Sequence, residues 1–482
     1  MTVCFITNIV SPHQLPFAAE MAMRLGLENF RYVATEPFHG ERSALGWAEA
    51  AGASWILQHG AAAGQEAEIA SWVDGADVLL SDVRDLDMIE RRVKAGKTTM
   101  LMTERWFKPP FGMLRLLHPR YLGMGLRLKK LLCSPYFNYL PMGVHAARDV
   151  HRLIRLLSGD LRCLFGMSGI APVTYEPLAP FMECAARPAC RVGEEPRRKA
   201  AGPLSKIRIW AYFVAPSEKS GQFSGQNEEI GIREGTAETY VRTGSCMKEP
   251  FRILWVGRML NWKRVDTLIR AAGILLADGR RVHLKLVGHG PEETRLRKLA
   301  NGINNRQQEI VLKRETSKGK RCANFEERVV PQASSLEIPV SASPTNPLMD
   351  SRTNELGPIT FHPPVPIAEV RRLMREADVY VLPSNGCEGW GAVVNEAMEE
   401  GCPVVATRDS GAGATLIRDD ETGLLFRSGN AAELSDKIRR LMDDPESARR
   451  IRLAGQASIR ARWSPSEAAG AMVAFCEQRL GQ

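Results

Sequence analysis

ADVYVLPSNGCEGWGAVVNEAMEEGCPVVAT, residues 377–407, is the stretch on which the reading of this chain turns. ADVYVLPS (377–384) is a short apolar run rich in β-branched and aromatic residues, as in a strand buried on both faces. The Gly-rich NGCEGWG that follows turns the chain. Residues 392–400 have helical periodicity, and CPVVAT (402–407) is a second buried strand. A strand, a turn, a helix and a strand form the repeating unit of a parallel sheet covered by helices.

The same alternation extends in both directions. Upstream, FRILWVGR (251–258) predicts a strand and VDTLIRAAGILLADG (265–279) an amphipathic helix with Gly279 as its C-cap. VHLKLVGHG (282–290) predicts a strand with a Gly turn, PEETRLRKLA (291–300) a helix and PITFHPPVP (358–366) a return to order. Residues 367–376, 430–443, 445–462 and 464–480 are helical patterns. The polar stretch 303–355 is expected to be a disordered insert. Nearer the start, residues 3–10, 30–35, 54–58, 76–82 and 98–103 read as strands, with helical periodicity at 15–25 and 86–95.

The expected architecture is therefore α/β, with two Rossmann-like domains facing across a cleft. An N-terminal domain spans 1–182, a linker with flexible inserts 183–249 and a C-terminal domain 250–462. A last helix at 463–482 packs back on the N-terminal domain. Within the linker, IRIWAYFVAP (207–216) reads as ordered. A chain of 482 residues is too long for one core, in keeping with this division. With 44% hydrophobic and 25% charged residues, the composition is that of a globular protein. No run of about 18 apolar residues predicts a membrane span, and the start lacks the marks of a signal peptide. The ten cysteines are scattered, and Cys184 and Cys190 lie closest. None has zinc spacing, so free thiols in a reducing cytoplasm are expected.

The net charge of +9 favours an anionic partner. Residues 105–132 carry Arg105, Lys108, Arg115, Arg120, Arg127, Lys129 and Lys130, no acid, and many apolar residues. Such a segment can lie on an anionic bilayer. It can equally be a core helix whose Lys and Arg stems snorkel.

Three patterns carry chemistry. In the first, Glu388 and Glu396 stand eight positions apart around a Gly389-Trp390-Gly391 turn that opens a helix. Glycines admit close backbone approach, and N–H groups at such a turn suit phosphate or sugar oxygens. Glu388 can accept hydrogen bonds from sugar hydroxyls, and Glu396 from the vicinal diol of a ribose. In the second, Arg258 ends a strand and Lys263 follows five residues later. Two fixed cations clamp a diphosphate and stabilise it as a leaving group. The third is the turn Gly288-His289-Gly290. Glu293 stands where a third glycine would complete a dinucleotide fingerprint, which argues against a dehydrogenase. Each pattern alone also fits ordinary surface residues.

In this order, together with LVGHGPE, GCPVVAT and ETGLLF (421–426), the patterns resemble the donor-binding domain of retaining glycosyltransferases of the GT-B fold, family four. The resemblance covers about 250–302 and 358–462. It implies that Arg258 and Lys263 bind the donor diphosphate, Glu388 the donor sugar and Glu396 the ribose. It also implies that amides of Gly389, Trp390 and Gly391 lie by the sugar and phosphates, and, more loosely, that Glu292 and Val365 line the base pocket. The family often has Phe at the place of Trp390. The activity implied is transfer of a sugar from a UDP- or GDP-sugar to a saccharide or lipid-linked acceptor, with retention of configuration by front-face attack and no metal or cofactor. No D-x-D motif argues otherwise, since D-L-D at 85–87 lies in the other domain. His13, Glu104 and Arg105, at strand ends of the N-terminal domain, are candidates for the acceptor side; His118 and His145 are weaker ones. The expected location is the cytoplasm, peripheral at the inner face of the membrane. The rival readings are a sugar-nucleotide epimerase or a phosphorylase of this fold, an inactive transferase, and a basic protein that binds membrane or nucleic acid without catalysis. No nucleic-acid partner is expected.

Overall fold

The computed structural model describes residues 1–36, 53–60, 65–159, 249–326 and 357–481, and three short strands between 176 and 209. Six parallel strands form the first sheet: β1 (Val3–Thr7), β2 (Phe30–Ala34), β3 (Ile56–Gln58), β4 (Val78–Ser81), β5 (Thr98–Thr103) and β6 (Phe137–Pro141). Every residue of β1, β4, β5 and β6 is buried, as expected where helices cover both faces. Those helices are α1 (Leu15–Leu25), α2 (Gln65–Gly75), α3 (Leu86–Lys94), α4 (Pro119–Leu132) and α5 (Gly143–Leu157). The strand order is β3-β2-β1-β4-β5-β6, so the direction of winding reverses between β1 and β4.

Strands β7 (Glu176–Leu178), β8 (Phe181–Glu183) and β9 (Arg208–Ile209) form a small antiparallel sheet. The second large sheet repeats the first. It comprises β10 (Phe251–Val256), β11 (Val282–Val287), β12 (Ile359–His362), β13 (Val379–Leu382), β14 (Val404–Thr407) and β15 (Leu424–Phe426). All are parallel, in the order β12-β11-β10-β13-β14-β15, with the reversal between β10 and β13. Helices α6 (Val265–Ala277), α7 (Glu293–Glu326), α8 (Ile367–Glu376), α9 (Val393–Glu399), α10 (Gly411–Leu416), α11 (Ala431–Asp443), α12 (Pro445–Arg462) and α13 (Pro465–Leu480) accompany it. The protein thus has two Rossmann-like units, the GT-B arrangement. No described helix is long and apolar enough to cross a membrane.

Two expectations need correction. Residues 303–326, expected to be disordered, continue α7 without a break. Their sequence shows no apolar stripe at helical spacing, since Ile310, Val311 and Leu312 are consecutive, yet it is rich in Glu, Lys, Arg and Gln, which are good helix formers. Residues 327–356 of that insert lie outside the described residues. So does most of 184–248, including all of 207–216 except Arg208–Ile209. The second correction is an addition: β6 and α5 close the first unit where no element was expected.

The C-terminal helix α13 returns to the first unit. Arg24 of α1 donates to the Ser466 carbonyl at 3.1 Å and to its hydroxyl at 3.0 Å. Met472, Phe475 and Cys476 share one core with Phe17 and Met21 of α1. That core also holds Val144 and Ala147 of α5 beside Trp390, Ala412 and Leu416 of the second unit. Met472→Ala is expected to destabilise the protein by about 2–5 kcal/mol in denaturant titration, through a cavity at a fully buried site. Leu480→Ala, at a position 44% exposed, should cost less than about 0.5 kcal/mol.

Candidate functional site

In open parallel sheets ligands bind beyond the carboxyl ends of the strands, where the winding reverses. In the second sheet that place is the crevice between β10 and β13. β10 runs into Gly257 and Arg258, then into a short 3-10 turn, Asn261–Lys263, ahead of α6. The loop after β11 lies directly on this segment. A β-carbon on Gly288, whose φ is +131°, would stand 1.9 Å from the Gly257 carbonyl oxygen. Only glycine permits that approach. Backbone bonds from Met259 to His289 (2.8 Å) and from Glu292 to Met259 (3.1 Å) lock the two loops together. Arg258 is exposed at the mouth and makes no ion pair among the described residues. Lys263 instead reaches the Glu388 carboxylate at 2.5 Å.

Glu388 sits in the loop after β13. Its carboxylate accepts from the Ser384 hydroxyl at 3.0 Å as well as from Lys263. The Asn385 amide donates to the Trp262 carbonyl (2.8 Å), tying this loop to the turn that carries Lys263. Beyond Glu388 the chain passes Gly389 and buries the indole of Trp390, which is 1% exposed. The indole N–H donates to Asn395 Oδ1 at 2.9 Å. Gly391, with φ +97°, turns the backbone into α9, where Glu396 is 7% exposed.

The first unit presses on the same loop. Glu104, at the end of β5, lies against Gly389: a β-carbon there would meet Glu104 Oε2 at 1.8 Å. Lys108 holds that carboxylate at 3.0 Å. Arg105 donates to the Gly386 carbonyl at 3.2 Å and pairs with Asp149 through two bonds of 3.1 and 3.3 Å. His13, in the turn after β1, places Nδ1 3.2 Å from Glu396 Oε1. His145 contacts the Arg408 carbonyl through Nε2 at 2.8 Å, and burial brings its pKa down to about 4, which keeps the imidazole neutral at pH 7. Burial also pushes the Asp149 carboxyl above its ordinary range, with Arg105 opposing. Burial does the same to Asp82, at the end of β4; the Gln14 amide (2.7 Å) opposes it and the Glu104 charge adds to it.

Arg258, Lys263, Gly288, Glu388, Gly389, Trp390, Gly391, Glu396, His13, Glu104 and Arg105 thus come to the two facing crevices or the loops between them. Glu292 stands beside them but pairs with Arg295 at 2.6 Å. Val365 is half-buried after β12, packed on the core. His118 lies elsewhere: its Nδ1 accepts from the Arg120 amide and caps α4. The D-L-D of 85–87 is engaged too, since Asp85 caps α3 and Asp87 pairs with Arg127. Among the described residues no group of three or more His, Cys, Asp or Glu could hold a metal. Sequence reasoning missed Ser384 and Asp149. Ser384 sits four residues before Glu388 and could have been found by asking what orients that carboxylate. Asp149 is 44 residues from Arg105, and no local signal links them.

Two family models, both described as glycosyl transferases group 1, match residues 250–317 and 352–458. Over these residues the chain is similar to the glycosyl transferases group 1. A D-inositol 3-phosphate glycosyltransferase of Arthrobacter sp. (strain FB24) is 44% identical over 87 residues, 18% of this chain and 20% of that protein. The alpha-D-kanosaminyltransferase of Streptomyces kanamyceticus is 26% identical over 263 residues, 54% of this chain and 51% of that protein. The chain spans about a fifth of the length of the first curated relatives it matches. The Anabaena protein HepE, crystallised with UDP and glucose, superposes with a TM-score of 0.55 at 12% identity over 99% of each chain, a likeness of fold.

The Arg105–Asp149 pair is almost fully enclosed. Arg105→Ala should therefore destabilise the protein by about 3–5 kcal/mol in denaturant titration, because it strands a buried carboxylate. Asp149→Leu combined with Arg105→Leu should recover most of that loss.

Proposed function

We propose that the protein transfers a hexosyl group from a UDP- or GDP-sugar to a saccharide or a lipid-linked saccharide, with retention of configuration, in polysaccharide or glycolipid biosynthesis. One observation carries the reading: two cations and two carboxylates, Arg258, Lys263, Glu388 and Glu396, converge at the β10–β13 crevice, on loops that the first unit also touches. Relatives named as glycosyltransferases, and a fold neighbour crystallised with UDP, support the choice of donor class.

The chemistry follows from charge. Breaking the bond between sugar C1 and the diphosphate leaves negative charge on the phosphate oxygens. Arg258 and Lys263 neutralise it, so the step needs no metal ion. The acceptor hydroxyl oxygen attacks C1 from the face the diphosphate leaves, and its proton passes to a leaving phosphate oxygen. The product keeps the anomeric configuration. Glu388 binds donor-sugar hydroxyls and Glu396 the ribose diol. In taking up the donor, Lys263 exchanges Glu388 for phosphate, and Glu396 exchanges His13 for ribose. His13, Glu104 and Arg105 face the acceptor. Glu292 and Val365 border the base. On this reading the protein works in the cytoplasm at the inner face of the membrane.

Calorimetry with UDP, GDP and ADP should show selective binding of one nucleoside diphosphate, unchanged by EDTA. Arg258→Ala with Lys263→Ala should weaken it by about 3–6 kcal/mol, at about 1.5–3 for each charge-assisted contact. Equal binding by wild type and double variant would contradict the diphosphate clamp. Release of UDP or GDP from the sugar nucleotide only when an acceptor is present separates a transferase from an epimerase.

A further inference from the structure

Seven bases between 105 and 132 stand without an acid in the sequence, but the structure divides them. Four turn to the protein. Arg105 pairs with Asp149, Lys108 with Glu104, Arg127 with Asp87 and Glu90, and Lys129 donates to the Leu157 carbonyl. Arg115, Arg120 and Lys130 make no ion pair among the described residues. Between them lies an unusual surface. The 3-10 turn Gly112–Leu117 and helix α4 expose Phe111 (63%), Leu114, Leu117 (82%), Leu122 and Leu126. Leu122 and Leu126 are one turn apart and share a face of α4, whereas Leu128, Leu131 and Leu132 fill the core on the other. The Arg115 guanidinium stands 5.7 Å over the Tyr121 ring, which holds turn and helix together. Five of the twelve large apolar side chains exposed among the described residues fall within these sixteen positions. Isolated exposed leucines need no explanation, but a contiguous patch does.

We propose that this face, the turn 111–117 and the outer side of α4, docks the protein on an anionic lipid bilayer. Leucine and phenylalanine side chains enter the boundary between headgroups and acyl chains, while Arg115, Arg120 and Lys130 meet lipid phosphates. The charge pattern favours lipid over a second copy of the chain. A two-fold contact through this face would set its unpaired bases against the same bases of the partner. The nearby acids Asp87 and Glu90 share the Arg127 guanidinium, which leaves one net negative charge there against the three unpaired bases of the face. The proposal rests on the transferase reading only in that it brings the acceptor side to a membrane. Lipid binding itself is measured without catalysis, and nucleotide binding without lipid, so either can fail alone.

The test is flotation of the full chain with phosphatidylcholine vesicles, with and without phosphatidylglycerol. The protein should float with the anionic vesicles only, and raised salt should release it. Arg120→Gln with Lys130→Gln should lower the partition coefficient about 25-fold, at about fivefold for each base near the surface. Leu117→Glu with Leu126→Glu should reduce it at least as much, while thermal unfolding midpoints stay at the wild-type value. If a glutamate variant unfolds, Leu117→Ser at the most exposed position gives the same comparison. Wild type that stays unbound on anionic vesicles, or variants that bind as wild type does, would overturn the proposal. So would leucine variants that lose self-association in sedimentation while neither form binds lipid, which would assign the face to a second copy.

Discussion

The burial of one indole organises the centre of this molecule. Trp390 belongs to the second unit, but Gly143 of the first lies against it: a β-carbon there would meet the ring at 2.8 Å. On the other side, Ala412 donates to the Trp390 carbonyl at 2.8 Å, and Gly411 packs on the Gly389 carbonyl. With its side chain and backbone both held, the loop 385–391 has little freedom. Glu388 precedes Trp390 by two residues and Glu396 follows by six, so the position of each carboxylate depends on this anchor. A buried aromatic contributes large contact area and, through its N–H to Asn395, a direction.

Electrostatics then completes what packing begins. The crevice brings together two carboxylates, an arrangement that would be costly in a low-dielectric site if they stood alone. They do not: Lys263 neutralises Glu388, and His13 stands on Glu396. On the proposed reading these are interactions that a diphosphate and a ribose replace with others of the same kind, so binding exchanges one set of charge-assisted contacts for another. Arg258, exposed at the mouth, needs no such exchange and is the cation most open to an approaching anion. His13, Glu104 and Arg105 come from the other unit, which couples its loops to those that hold the carboxylates.

Much of this was legible in the chain because the local signals agree with the fold. ADVYVLPS and CPVVAT are apolar runs that only a doubly covered parallel strand explains, and both are strands. The two-glycine turn at 288–290 marks a backbone contact that a side chain would forbid. What was not legible is of two kinds. The helix through 303–326 has propensity but no amphipathic face, so periodicity, which reports packing against a core, could not find it. The Arg105–Asp149 and His13–Glu396 pairs join residues far apart in sequence, and only the tertiary fold brings them together. The basic run 105–132 illustrates the same point: its composition shows seven like charges, but only folding shows which three are ion-paired and that Lys129 is held by a backbone carbonyl.

The most direct test is a crystal structure of the protein with a bound nucleoside diphosphate. The account predicts phosphate oxygens within hydrogen-bond distance of Arg258 and Lys263, with Lys263 drawn away from Glu388, and ribose hydroxyls on Glu396 in place of His13. A diphosphate bound at another strand end, or bound at this crevice with the Lys263–Glu388 and His13–Glu396 pairs intact, would contradict it.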